Sequence, residues 1–69
     1  MAVPMFPVNS SHLDQVGWQD GNLYITFKNG KKYKYLDVPE MCFYEMRASN
    51  SIGRYFGTDI KNNFIAEEL

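Results

Sequence analysis

The stretch LYITFKNGKKYKY, Leu23 to Tyr35, decides the fold because it predicts a β-hairpin with two different faces. Apolar and polar side chains alternate along residues 23–28, as in a strand that buries one face. The Asn29-Gly30 pair that follows is a strong hairpin-turn signal. Alternation resumes after the turn and continues to Tyr35, so the second half of the stretch predicts the partner strand.

The length of the hairpin loop determines which side chains share a face. A two-residue loop would pair Phe27 with Lys32 and put ammonium groups on the apolar face. A three-residue loop over residues 28–30 instead gives three cross-strand pairs, Phe27–Lys31, Ile25–Tyr33 and Leu23–Tyr35. Because a slip of one residue turns every side chain to the other face, only the three-residue loop gives a continuous apolar face, and we predict that register.

This register separates the tyrosines of the second strand from its lysines. Tyr33 and Tyr35 are expected on the buried face, whereas Lys32 and Lys34 lie on the opposite face with Tyr24. Two interpretations of the lysine face remain open. It is either a solvated face whose lysines discourage edge-to-edge pairing, or a basic surface with an aromatic side chain available for stacking.

Outside the hairpin, the chain divides into an arm, a domain and a tail. Residues 1–7 are expected to form an extended arm, because two prolines there remove backbone donors. Its apolar side chains, Met5 and Phe6, would pack on the same domain or on a second subunit. Residues 8–66 are predicted to form a single domain, and residues 67–69 a frayed acidic tail.

The rest of the domain predicts one more strand and two helices. Gly17 is expected to mark a bulge in a first strand, and Asp20-Gly21-Asn22 a tight turn. Pro39 suits the start of a helix that runs to about Ala48, and its apolar face predicts three core residues, Cys42, Phe43 and Met46. A short C-terminal helix is expected from Thr58. The predicted fold is α+β, a small antiparallel three-stranded β-meander packed against one main helix and a short C-terminal helix.

Composition limits the class of protein further. The 69 residues carry a net charge of −1, which is unlike the strongly basic domain of a general polyanion binder. A single cysteine and the lack of a long apolar run predict a cytoplasmic protein without a disulfide or a membrane span. Since a chain of this size buries only about 60% of its unfolded surface, self-association would add stability, and a homo-oligomer is one expectation.

Residues with catalytic potential are few and do not form a recognisable set. His12 is the only histidine, and its neighbours Ser11 and Asp14 diverge along a strand, whereas nucleophilic catalysis needs converging groups. Cys42 lies in an apolar setting, and one histidine with scattered carboxylates offers no metal-ligand cluster. We therefore predict no catalytic residue, no metal site and no cofactor, and a protein that is not an enzyme.

Two groups of residues together form a recognisable pattern. The first is Ser10-Ser11-x-Leu13, then Gly17-Trp18, then Leu23-x-Ile25-x-Phe27-x-x-Gly30-x-x-Tyr33-x-Tyr35-x-x-Val38-Pro39. The second is Ser51-x-Gly53-x-Tyr55-Phe56-x-x-x-Ile60. Together the two groups resemble the KTSC domain, which is named after the C-terminal extension of some lysyl-tRNA synthetases and also occurs alone in bacteria and phages. The resemblance implies a small α+β fold and, through the synthetase association, suggests RNA binding. Gly57 departs from the family, which often has asparagine there.

We predict a non-enzymatic binding module for nucleic acid or a nucleotide-like ligand, of which a phage-type nucleotide-sequestering protein is one form. The candidate cationic contacts are Lys28, Lys31, Lys32 and Lys34. The candidate stacking residues are Tyr24 and Trp18, with Tyr55 as a further option. The candidate phosphate contacts are Arg54, Ser10, Ser11 and Ser51. The alternative is a protein–protein interaction module that acts through exposed aromatic side chains and an edge strand.

Overall fold

A computed structural model, which describes residues 3–69, contains five strands in one antiparallel sheet with the order β1-β2-β3-β4-β5. The strands are β1 Phe6–Pro7, β2 Leu13–Gln19, β3 Asn22–Phe27, β4 Lys32–Tyr35 and β5 Ala66–Glu68. Between β4 and β5 lie α1 Glu40–Ala48, α2 Ile52–Tyr55 and a π-helical turn Phe56–Ile60. The predicted α+β class is confirmed, with five strands instead of three.

The predicted hairpin register is confirmed. Leu23 lies opposite Tyr35, and Ile25 lies opposite Tyr33. The Phe27 amide donates to the Lys31 carbonyl at 2.8 Å, and the Gly30 amide donates to the Phe27 carbonyl at 2.9 Å. Gly30 has a φ of 92°, a left-handed conformation that glycine adopts without a Cβ penalty. The three-residue loop therefore closes as the alternation of side chains requires.

The two strands absent from the prediction lie at the edges of the sheet. Phe6 pairs with Val16 in β2, so part of the predicted arm is an edge strand, where a proline is tolerated. The predicted frayed tail is also ordered, since Lys34 lies opposite Glu67 and the Leu69 amide donates to the Lys32 carbonyl at 2.8 Å. Strands of two and three residues are too short to show a periodic pattern, which explains why the sequence did not predict them.

The bulge predicted at Gly17 is wrong, because the irregularity in β2 lies between Leu13 and Gln15. Gly17 instead permits a close approach of the N-terminal segment. A Cβ at this position would lie 2.5 Å from the Pro4 carbonyl oxygen and 2.6 Å from the Met5 sulfur. The segment therefore packs on its own domain.

One apolar core lies between the inner face of the sheet and the helices. Tyr35 is only 6% exposed, and its ring meets that of Phe56 edge-on at 5.5 Å. Phe43 and Met46 of α1 are buried as predicted, whereas Cys42 is half-buried. The other buried side chains are Leu13, Val16, Leu23, Ile25, Val38, Ile52 and Ile60. None of the helices within residues 3–69 has the length and apolar character to cross a membrane.

The second helical segment begins earlier than predicted, at Ile52 and not at Thr58. Ser51 is its N-cap, and the serine hydroxyl oxygen accepts a hydrogen bond from the Arg54 amide at 3.4 Å. This capping satisfies one of the amides that a helix start leaves without a partner. The cap therefore sets the position of Arg54, one turn further on.

The two faces of the hairpin should differ in their tolerance of truncation. Tyr35→Ala should lower the free energy of unfolding by about 3–5 kcal/mol, because it removes a buried aromatic ring from the core. Tyr24→Ala, on the outer face of the adjacent strand, should cost less than half as much. Urea unfolding followed by circular dichroism measures both costs. Equal costs would contradict the observed register.

Gly17→Ala should lower the free energy of unfolding by about 1–3 kcal/mol, because the added methyl group overlaps the backbone of the N-terminal segment. The same change introduced into a chain lacking residues 1–5 should be neutral or stabilising, since alanine costs less backbone entropy than glycine. Urea unfolding of the four proteins measures the difference. A penalty that persists in the truncated chain would show that another contact disfavours the methyl group.

Candidate functional site

Four predicted ligand-binding residues line one cleft of about 440 Å³, which we call the polar cleft. They come from two distant parts of the chain, the loop before β2 and the segment from the end of the α1–α2 turn into α2. The lining residues are Asn9, Ser10, Ser11, His12, Asn50, Ser51, Ile52, Gly53 and Arg54. The fold thus brings Ser10 and Ser11 together with Ser51 and Arg54, as a shared phosphate site requires.

Two of the serine hydroxyls in the polar cleft, those of Ser10 and Ser51, accept hydrogen bonds from backbone amides. The Ser10 oxygen accepts from the Leu13 amide at 3.3 Å and from the His12 amide at 3.4 Å. The Ser51 oxygen accepts from the Arg54 amide, as described above. A hydroxyl that accepts through its lone pairs still has its proton to donate. Both groups can therefore donate to an anion without giving up their structural role.

Gly53 allows the two sides of the polar cleft to approach each other. A Cβ at this position would lie 2.9 Å from His12 Cε1 and 3.1 Å from the Ser10 hydroxyl oxygen. The His12 ring therefore rests against the backbone of α2, and its Nδ1 lies 3.2 Å from the Ser11 hydroxyl oxygen. Because Gly53 has no side chain, His12 and Ser10 can both lie close to the backbone of α2.

A second cleft of about 440 Å³ adjoins the first, because His12 lines both. We call it the aromatic cleft, and it is lined by His12, Phe27, Asn29, Lys31, Tyr33, Tyr35, Phe56, Gly57 and Lys61. The Phe27 ring meets the rings of Tyr33 and Phe56 edge-on, at 5.6 Å in each case. Burial, and then the nearby Tyr33, raise the pKa of the Tyr35 phenol above its ordinary value, so Tyr35 stays neutral.

Sequence reasoning missed most of the aromatic cleft. Only Lys31 was predicted as a ligand contact, whereas Phe27 and Tyr33 were assigned to the apolar face of the hairpin alone. Lys61 comes from the end of the π-helical turn, far from the hairpin in sequence. The sequence signal that could have indicated this cleft was Gly57. A Cβ at Gly57 would meet no atom within 4 Å, so the glycine leaves open space beside Phe56.

Neither cleft has an acidic residue among its described lining residues. The chain as a whole carries eight acidic and seven basic residues. Arg54, Lys31 and Lys61 thus give the two clefts a positive charge that the composition does not reveal. The local potential favours an anion here despite the net charge of −1.

The other predicted lysine contacts are not lining residues of either cleft. Lys32 and Tyr24 line a shallow depression on the outer face of the sheet, together with Val3 and Leu69. Lys34 forms an ion pair with Glu67 at 3.5 Å, and Lys28 is exposed in the hairpin loop. One small ligand in the two clefts would therefore contact Lys31, but not the lysine face.

Two of the predicted stacking residues are held by contacts within the domain. Trp18 packs against the core, and its indole Nε1 donates to the Val38 carbonyl at 2.7 Å. The Tyr55 hydroxyl donates to Glu45 Oε1 at 2.9 Å. Burial, and then this hydrogen bond, raise the pKa of the Tyr55 phenol above its ordinary value. Both rings support the structure, and neither lines the aromatic cleft.

Among the described residues, no carboxylate forms a hydrogen bond with His12. The contact between His12 and Ser11 therefore lacks the orienting acid of a catalytic triad. Across residues 3–69, no group of three metal-ligating side chains converges. The chemistry that the two clefts offer is hydrogen bonding, positive charge and aromatic surface.

Two glycine-to-alanine substitutions should distinguish an effect on the geometry of the polar cleft from an effect on helix propensity. Gly53→Ala should displace His12 and Ser10, because the new methyl group would overlap both. Gly57→Ala should leave them in place and raise the free energy of unfolding by up to about 1 kcal/mol, since alanine is the better helix former. The chemical shifts of the His12 imidazole, measured by NMR, report the displacement. Unchanged His12 shifts in Gly53→Ala would contradict the close packing.

Comparisons with known proteins agree with the fold and identify the family. The KTSC domain matches residues 9–64, a range that contains all the lining residues of both clefts. The crystal structure of a KTSC domain protein from Yersinia pestis matches with a TM-score of 0.88 and 33% sequence identity, over 99% of this chain and 99% of that chain. No protein with a curated description matches significantly. The chain therefore belongs to the KTSC domain family.

Proposed function

We propose that this chain is a non-enzymatic binding module for nucleotide units, present in a nucleotide-like small ligand or in short single-stranded RNA. The observation that carries the proposal is the position of His12, which lines both the polar cleft and the aromatic cleft. A phosphate group and an aromatic base occur side by side in every nucleotide. Two adjoining clefts of these two chemistries match that arrangement.

The polar cleft supplies the phosphate contacts. Arg54 can donate two parallel hydrogen bonds to phosphate oxygens, which are stronger than bonds between neutral groups. The hydroxyl protons of Ser10 and Ser51 add donors, because their oxygens already accept from backbone amides. Helix α2 is too short to provide a site of its own, so the side chains carry the binding.

The aromatic cleft supplies a surface for the base. Its volume of about 440 Å³ lies within the range of small-ligand sites. A base that contacts Phe27, Tyr33 or Phe56 would gain stacking energy, which is about 1–3 kcal/mol per base in single-strand binders. Lys31 and Lys61 add charge near this surface. The overall negative charge of the chain favours a short ligand over a long duplex.

The proposal is tested with the 5′-monophosphates of adenosine, cytidine, guanosine and uridine, in NMR titrations of the labelled protein. At least one should shift signals from both clefts. Arg54→Gln should weaken its binding at least tenfold, because it removes the charge-assisted hydrogen bonds of the guanidinium. Lys31→Gln should also weaken binding, whereas Lys32→Gln, the matched change on the outer face, should leave the affinity within twofold.

Two further measurements define the ligand. Affinity for the mononucleotide should fall as salt rises from about 50 to 200 mM, since phosphate contacts release counterions. A longer single-stranded oligoribonucleotide of the same base should bind more tightly if the ligand is RNA, and equally if it is a free nucleotide. The absence of shifts in both clefts with all four mononucleotides and with the oligonucleotide would contradict the proposal.

A protein-interaction function is the second candidate, and the exposed face of α1 favours it. Met41 is 65% exposed and Tyr44 is 54% exposed, and their spacing of three residues places them on one side of the helix. A partner bound there would be insensitive to salt, in contrast to a phosphate ligand. Met41→Ser combined with Tyr44→Ser should then abolish the interaction without affecting nucleotide binding.

A further inference from the structure

A third depression, of about 390 Å³, continues the polar cleft on the side of α1. We call it the Arg47 cleft, and its lining residues are Pro7, Val8, Asn9, Arg47, Ser49, Asn50 and Ile52. It shares Asn9, Asn50 and Ile52 with the polar cleft. The two depressions therefore form one groove, with an arginine in each half.

Arg47 is held against an aromatic surface. Its guanidinium carbon lies 4.4 Å from the centre of the Phe6 ring and 5.3 Å from the centre of the Phe43 ring. A guanidinium that packs on an aromatic ring can still donate hydrogen bonds through N–H groups that the ring does not cover. The side chain is thus ordered before a ligand arrives, which reduces the entropy lost on binding.

Among the described residues, neither arginine of the groove forms an ion pair with a carboxylate. Within residues 3–69 the one ion pair joins Lys34 to Glu67, on the other side of the molecule's sheet. The lining residues of the Arg47 cleft include no aspartate or glutamate. Two guanidinium groups in one groove without counter-charges create a site for two anionic groups.

The chain contains only two arginines, Arg47 and Arg54, and the fold places both in this groove. All five lysines lie elsewhere, in the hairpin and at the end of the π-helical turn. Arginine differs from lysine in its planar set of donors, which matches two oxygens of a phosphate group. The arginines therefore lie in the groove and the lysines outside it, as expected for a groove that binds phosphate groups.

We propose that Arg47 forms a second phosphate subsite beside the one at Arg54, and that the ligand is a dinucleotide with two phosphate groups separated by a nucleoside. This inference rests on the proposed function. Asn9 and Asn50 lie between the two arginine subsites, so each half of the groove takes one phosphate.

The test uses the mononucleotide that binds most tightly and the 5′-phosphorylated dinucleotide of the same base. The two arginine Nε–Hε signals, assigned by Arg47→Lys and Arg54→Lys, report each subsite separately in NMR spectra. The mononucleotide should shift the Arg54 signal, and the dinucleotide should shift both signals and bind at least tenfold more tightly. Arg47→Gln should remove the tenfold gain while leaving the affinity for the mononucleotide within twofold.

A structural role for Arg47 would produce a different pattern. Loss of the stacked guanidinium would then lower the unfolding midpoint and weaken both probes equally. If Arg47→Gln does not fold, Arg47→Lys keeps the charge but loses the planar donors, and it should still bind the dinucleotide several-fold more weakly. Equal affinity of the wild-type protein for the two probes, or equal weakening of both by the arginine variants, overturns the second subsite. Failure of every mononucleotide and dinucleotide to bind overturns the proposed function itself and the subsite with it.

Discussion

The register of the β3–β4 hairpin is the constraint on which the rest of the structure depends. Gly30 closes a three-residue loop in a left-handed conformation, and this places Tyr35 opposite Leu23 on the inner face. The buried Tyr35 ring then meets Phe56 from the far end of the chain. A slip of one residue would turn Lys32 and Lys34 inward and remove this contact, so a single loop length determines how the C-terminal half packs.

The same register builds the aromatic cleft. Phe27, at the end of β3, and Tyr33, in β4, project from the inner face beyond the covered core, where Phe56 approaches them from the helical side. Lys31 belongs to the loop side of this face because it pairs with Phe27. Core and cleft are therefore one continuous aromatic layer, buried in the middle and open at the edge.

The sequence was sufficient to predict the elements with strong periodicity or a clear turn or start signal, namely the hairpin and helix α1. It was insufficient for β1 and β5. These strands have only two and three residues, and they form by pairing with longer strands that their own sequence does not indicate.

For the site, the serines and Arg54 were identifiable because polar residues break the apolar pattern. Phe27 and Phe56 were not, since an aromatic residue at the rim of a core has the same pattern as one inside it. The sequence also did not show the partner of Lys34, because Glu67 lies on β5, which pairs with β4 in the same sheet.

The N-terminal strand links stability with the groove. Phe6 pairs with β2 and packs on Phe43 at a ring distance of 6.3 Å, so it completes the sheet and covers α1. The same ring supports the Arg47 guanidinium, and the next residues, Pro7 to Asn9, form the wall of the groove. The core of a 69-residue chain is small, so few side chains can contribute to the site without also contributing to stability. The segment that the sequence shows as a proline-rich arm therefore has two structural roles. Phe6 holds the segment on the domain through its contact with Phe43, and it also supports the Arg47 guanidinium at the groove.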